Sequence, residues 1–183
     1  MQFYYDVRER LQARMTGFDY IFDYLKTIEN PFIVETGCAR QEDNYHGDGQ
    51  SSLLFDKYIN EYGGGFITVD IGEKEVEYCK SKMTCKNTTV VRDDSLNFLR
   101  GLNSVLLSQN IKIDFLYLDA EGGSDIAMHT LEELKIIMPS LREGCLIGVD
   151  DGPGKCRYVT EYFQSLNPPK SPVFSGYQTF YKL

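Results

Sequence analysis

Carboxylates recur in this sequence at one kind of place, the end of a short apolar run. Asp70 closes Phe66–Asp70 (FITVD), Asp119 closes Asp114–Asp119 (DFLYLD), and Asp150, followed at once by Asp151, closes Cys145–Asp150 (CLIGVD). Glu35 and Thr36 end Pro31–Thr36 (PFIVET), and Asp93-Asp94-Ser95 follows Thr88–Arg92 (TTVVR). A carboxylate so placed can accept hydrogen bonds from sugar hydroxyls or an ammonium group, or bind a hard cation. It can equally do no more than cap the helix that follows. Small residues accompany the acids: Gly37-Cys38-Ala39 after the first run, then Gly47-Asp48-Gly49-Gln50-Ser51-Ser52. Glycine lets a backbone pass close to a ligand with no side chain in the way.

The runs that carry these residues alternate with helix-like stretches, the signature of stacked βαβ units. Each run is short, continuous and rich in β-branched residues, as for strands covered on both faces. Ser51–Tyr62, opened by serine as N-cap, Glu73–Met83 and Ser95–Ser108 read as helices. So does Ser124–Met138, where Ala127, Leu131, Leu134 and Met138 share a face and Pro139 stops the helix. Lys155–Leu166 reads as the last helix, and the aromatic tail around Gly176 reads as an antiparallel hairpin. Residues 1–30 read as a helical N-terminal extension with Phe18, Ile21, Phe22 and Leu25 on one face. With no linker or repeat in sight, 1–183 is expected to be one α/β domain whose acidic strand ends lie on the ligand-binding edge of the sheet.

Composition narrows the classes. A formal charge of −8 counts against nucleic acid as partner, and no apolar run is long enough to span a bilayer. Five cysteines, at 38, 79, 85, 145 and 156, lack C-x-x-C spacing, so neither a zinc site nor a disulfide framework is expected, and a cytoplasmic location is. None has a visible base partner that would make it a nucleophile. The G-x-G-x-x-G fingerprint is missing, which counts against NAD.

Taken in order, the motifs resemble the class I S-adenosylmethionine (SAM)-dependent methyltransferases over nearly the whole chain. Leu118-Asp119-Ala120-Glu121 and Gly148-Val149-Asp150-Asp151-Gly152 resemble, more narrowly, the metal-dependent O-methyltransferases of the catechol and sugar type. The resemblance implies a Rossmann-like, three-layer α/β/α fold with a mostly parallel seven-stranded sheet ending in an antiparallel hairpin. It implies a cofactor site in which Glu35, Thr36, Gly37 and Cys38, with Ser51 and Ser52 at the next helix, hold the methionine part of SAM. Asp70 would take the ribose and Asp94 and Ser95 the adenine, and Ile71 and Asp119 would also belong to the cofactor site. Asp119, Asp150 and Asp151 would share a magnesium ion that lowers the pKa of an acceptor hydroxyl and aims it at the methyl group. The alternative is that Asp150 and Asp151 only shape the Gly152-Pro153-Gly154 turn.

Two departures from the pattern matter. The second glycine of the first loop is delayed by Gln41–His46, which reads as an enlarged loop or part of a lid and brings Tyr45 and His46 near the entrance. Catechol-type enzymes place a lysine base shortly after the first metal ligand, where this chain has Glu121-Gly122-Gly123-Ser124. Asp119, Glu121 and His129 are the candidates for the base, in that order. The expected activity is methyl transfer to a hydroxyl of a small molecule or sugar. A metal-independent methyltransferase and a SAM-binding module without turnover are the alternatives. A lid would come from the N-terminal helix or from a second copy of the chain.

Overall fold

The computed structural model describes residues 1–183. In chain order the elements are α1 (Gln2–Tyr5), a 3₁₀ segment (Arg8–Arg14), α2 (Met15–Leu25), β1 (Phe32–Thr36), α3 (Tyr45–Asp48), α4 (Ser51–Tyr62), β2 (Gly65–Asp70), α5 (Glu73–Lys82) and β3 (Thr88–Arg92). They continue as α6 (Ser95–Gln109), β4 (Ile113–Leu118), α7 (Ile126–Ile137), β5 (Leu141–Val149), α8 (Gly152–Lys155), α9 (Arg157–Ser165), β6 (Phe174–Ser175) and β7 (Thr179–Lys182). The sheet order is β3-β2-β1-β4-β5-β7-β6, with β1 to β5 parallel and the β6–β7 hairpin antiparallel at one edge. This is the expected mixed seven-stranded α/β/α architecture.

The pleat explains why the central strands read as unbroken apolar runs. On β4, Phe115 and Tyr117 enter one core with α2 and α4, while Leu116 and Leu118 enter the other with α6, α7 and α9. Phe18, Ile21, Phe22 and Leu25 are all fully buried in the first core, so the N-terminal helices cover a sheet face rather than trail from it. Burying each such side chain contributes about 1.5–3 kcal/mol before ordering costs.

Several boundaries differ from the sequence expectation, each for a local reason. Ser51 is not the N-cap of α4; Gln50 is, in the left-handed region at φ 54°, and no side chain caps the helix. The helix expected from Ser124 starts at Ile126, because the Asp125 carboxylate accepts the N–H groups of Ala127 and Met128. The helix expected over Lys155–Leu166 is two, α8 and α9, meeting at Cys156. β5 begins at Leu141, ahead of Cys145, through residues too polar to read as strand.

β1 pairs with β2 on one side and β4 on the other, so the chain leaves β1 and β4 in opposite directions. The gap beyond their C-terminal ends is the topological switch point where ligands bind in open α/β sheets. No helix is long and apolar enough to cross a membrane.

Candidate functional site

A cavity of about 690 Å³ opens at that switch point. Its wall is built by the segments after four strands: Gly37, Cys38 and Arg40 after β1, Asp70 to Gly72 and Glu75 after β2, Asp94 to Leu96 after β3, and Asp119 to Gly123 after β4, joined by His129 from α7. Gly37 is required by the meeting of the first and last of these. Its φ is +82°, and a Cβ there would lie 2.9 Å from the Asp119 carbonyl.

The expected cofactor residues divide into two groups. Gly37, Cys38, Asp70, Ile71, Asp94, Ser95 and Asp119 line the cavity; Glu35, Thr36, Ser51 and Ser52 are buried behind it. Asp70 accepts the N–H of Gly72 on Oδ1 at 2.8 Å and that of Cys38 on Oδ2 at 3.1 Å, which fixes both loops and aims the carboxylate. Asp94 caps α6 by accepting the Asn97 N–H on Oδ1 at 3.0 Å. Ile71 is 67% exposed, an apolar side chain standing uncovered on the wall.

Glu35 acts at one remove. Ser52 Oγ donates to Glu35 Oε2 and accepts the N–H of Ala39 at 3.1 Å, so the acid organises the first loop from beneath. Burial pushes the Glu35 carboxyl up to about 8, against hydrogen bonds from Ser51 and Ser52 that pull it down. Thr36 Oγ1 donates to Glu133 Oε2 at 3.2 Å, also below the cavity floor.

Glu133 in turn holds His129, at 3.3 Å from Nε2, and the same nitrogen lies 3.0 Å from Ser95 Oγ. The hydrogen bond to Glu133 raises the His129 pKa above its usual value. His129 therefore faces inward over Gly122, which a Cβ would drive into its ring. Glu121 also lines the cavity and is exposed.

Charge on the wall is one-sided. Asp70, Glu75, Asp94, Asp119 and Glu121 line it, and its one guanidinium, Arg40, is paired with Asp48 at 2.9 Å. The Gln41–Gln50 loop is tied down by that pair, by Gln50 Nε2 on the Gln41 carbonyl at 2.6 Å, and by Arg14 Nη1 on the His46 carbonyl at 2.9 Å. His46 and Tyr45 lie outside the main cavity, with Arg10 over the Tyr45 ring at 4.4 Å. All five cysteines are free and buried.

Beside the cavity, Asp119, Asp150 and Asp151 come together as expected, with oxygens within 4.8 Å of one another. Only Asp119 reaches the cavity wall. Two basic residues that the sequence reading missed stand among them. Arg14 Nη2 lies 2.8 Å from Asp150 Oδ2 and 3.5 Å from Asp151 Oδ1. Lys155 Nζ lies 2.7 Å from Asp119 Oδ1, 2.9 Å from the Asp119 carbonyl and 3.9 Å from Asp151 Oδ2. Tyr117 donates its hydroxyl proton to Asp150 Oδ1 at 2.8 Å, and Arg14 stacks on Tyr177 at 4.4 Å. Burial pulls the Lys155 pKa down, but Asp119 more than offsets this and the net shift is upward, so the ammonium stays charged. The carboxylates are the donors a hard divalent ion takes, yet the faces they would turn to it already meet side-chain cations. The one signal in the sequence was the Asp151–Lys155 spacing, which joins the two across a helical turn.

No protein-family model matches the chain, and no curated sequence matches it. Solved structures do. The methyltransferase MycE of the mycinamycin biosynthetic pathway, in complex with Mg and SAH, is 16% identical with a TM-score of 0.62 over 92% of this chain and 49% of that one. The O-methyltransferase NovP is 12% identical with a TM-score of 0.60 over 97% of this chain and 77% of that one. TrmN from Thermus thermophilus is 10% identical with a TM-score of 0.57 over 90% of this chain and 48% of that one. The chain spans between a third and a half of the length of MycE. At these identities the likeness is one of fold: the chain has the fold of the SAM-dependent methyltransferases.

Proposed function

We propose that the chain binds SAM in the cavity beyond β1 to β4 and transfers its methyl group to a hydroxyl of a small molecule. The observation that carries this reading is the acidic wall: of its five carboxylates only Asp119 meets a side-chain cation, and its one guanidinium is already paired. Such a wall repels phosphates and suits a ligand that combines a sulfonium, an ammonium and sugar hydroxyls. It also disfavours nucleic acid as acceptor, in keeping with the net charge of −8.

SAM, when bound, supplies a methyl group made electrophilic by the sulfonium. The chain's own groups hold and orient. Asp70, fixed by the amides of Cys38 and Gly72, has lone pairs left for the ribose hydroxyls. Asp94 uses Oδ1 on the helix and keeps Oδ2 for the adenine amine, with Ile71 and Leu96 as apolar walls for the ring. Glu121 is the group placed to accept the proton of an acceptor hydroxyl, because it lines the cavity and is exposed. Asp119 is tied to Lys155 and serves to shape the wall. Asp119, Asp150 and Asp151 are of the type magnesium takes, and a magnesium ion accompanies MycE, but here Arg14 and Lys155 already stand among them. Holding the cofactor and accepting the proton need only the side chains of this protein.

The test is transfer from methyl-labelled SAM to a panel of catechols, sugars and nucleic acids, with S-adenosylhomocysteine (SAH) release as the second readout. Label on a hydroxylated small molecule with matching SAH is the expected result. Label on nucleic acid contradicts the acceptor, and SAH binding without transfer to any member favours a non-catalytic binding module.

A further inference from the structure

The acidic trio has the residue types of a divalent-ion site, but its geometry is that of a completed ion-pair network. Three carboxylates converge here, and the two cations Arg14 and Lys155 contact all three between them. Arg14 bridges Asp150 to Asp151, and Lys155 bridges Asp119 to Asp151. Joining carboxylates in this way is the task a metal would otherwise perform. Both cations are buried, at 6% and 3% side-chain exposure, so neither is a surface residue that swings away at no cost. Asp150 is more committed still, accepting Tyr117 and three contacts from the Arg14 guanidinium.

A divalent ion entering this cluster would have to displace a buried ammonium, leaving that charge unpaired, which buried sites resist strongly. Magnesium, which gives up its water reluctantly and demands octahedral oxygen ligands, is poorly served where Asp150, the central carboxylate, already has its oxygens in use.

We infer that Lys155 and Arg14 take the place of the divalent ion in this protein, and that Lys155 is a positioning residue that holds Asp119 at the cavity wall. The inference rests on the methyl-transfer reading for what Asp119 serves, and on the ion-pair geometry alone for the exclusion of the metal. Lys155 follows Gly152-Pro153-Gly154 in α8, a turn that starts from Asp151 in the left-handed region at φ 48° and so places acid and base on one side.

The experiment uses the full chain treated with EDTA, titrated with Mn²⁺ while the signal of the free ion is followed by electron paramagnetic resonance. A parallel calorimetric titration with SAH reports the cofactor site. Wild type is expected to leave Mn²⁺ free through the micromolar range, with or without SAH, and to bind SAH equally well in EDTA. Lys155→Met is expected to open the cluster and to gain a site for one Mn²⁺ per chain, about tenfold or more tighter than any in wild type. Stoichiometric micromolar Mn²⁺ binding by wild type, lost in Asp150→Asn, would overturn the inference. So would a folded Lys155→Met protein that takes up no more Mn²⁺ than wild type. Should Lys155→Met fail to fold, the wild-type titration decides alone. Failure of SAH binding sinks the methyltransferase reading without altering what the Mn²⁺ titration says.

Discussion

The two acidic regions at the C-terminal edge of the sheet are built from the same residue type and end in opposite states. Around the cavity, Asp70 and Asp94 meet only backbone N–H groups, and each turns toward open volume. A few residues away, Asp150 is 1% exposed and fully engaged by Arg14 and Tyr117. Aspartate at a strand end does not by itself mark a ligand site. What decides is whether the rest of the chain supplies the counter-charge. The first region leaves its carboxylates for a ligand, whereas the second closes on itself and fastens the N-terminal segment to the sheet edge.

The closed region is the easier of the two to break. Arg14→Met leaves the Asp150 charge buried and unpaired, and is expected to lower stability by about 3–5 kcal/mol in urea unfolding at neutral pH. Adding Asp150→Asn should return part of that loss. A cost below about 1 kcal/mol would place the pair among ordinary surface bridges.

The open region should respond in affinity rather than stability. Asp70→Ala removes charged acceptors from the ribose end, and about 2 kcal/mol, or about 30-fold in the SAH Kd, is expected by calorimetry. Unchanged affinity would mean that the ligand lies elsewhere.

Glu35 tests the layer beneath. Its carboxyl ordinarily titrates near 4.5, and in the fold it holds its proton to about 8. Between those values the unfolded chain binds fewer protons than the native one, so stability falls as pH rises, by up to about 1.4 kcal/mol per pH unit. Above the upper value no further loss follows. Glu35→Gln should flatten that part of the pH–stability profile, and a profile that stays unchanged would show that the acid is not protonated in the native state.

The smallest effect is expected at Asp94, where alanine removes a helix cap worth about 1 kcal/mol. Asp94→Asn should keep the cap and weaken SAH binding several-fold, separating the two roles in one pair of titrations.

How much of this was legible follows the distance over which each feature is made. The bounds of β3 and α4 were readable, since Thr88–Arg92 is a β-branched run and Ser51–Tyr62 keeps its period to a closing glycine, though the cap of α4 was not. Asp70 and Gly37 were readable because a strand-end acid and a loop glycine are local signals. Arg14 was not, because the pair it forms with Asp150 spans 136 positions and only the folded sheet edge brings them together. For Glu35 the sequence left two roles open, binding the cofactor's ammonium or organising the loop amides, and only the fold shows it beneath the loop, acting on Ala39 through Ser52. His129 carried no pattern at all; its inward aim comes from Glu133 one helical turn on, fully buried beneath it.

Whether the open carboxylates hold SAM is decided most simply by calorimetric titration of the EDTA-treated protein with SAH. Saturable binding of one SAH per chain is expected, unchanged by magnesium and weakened by Asp70→Ala. Absence of binding with and without magnesium would contradict the cofactor site and leave a methyltransferase fold whose acidic cavity serves another ligand.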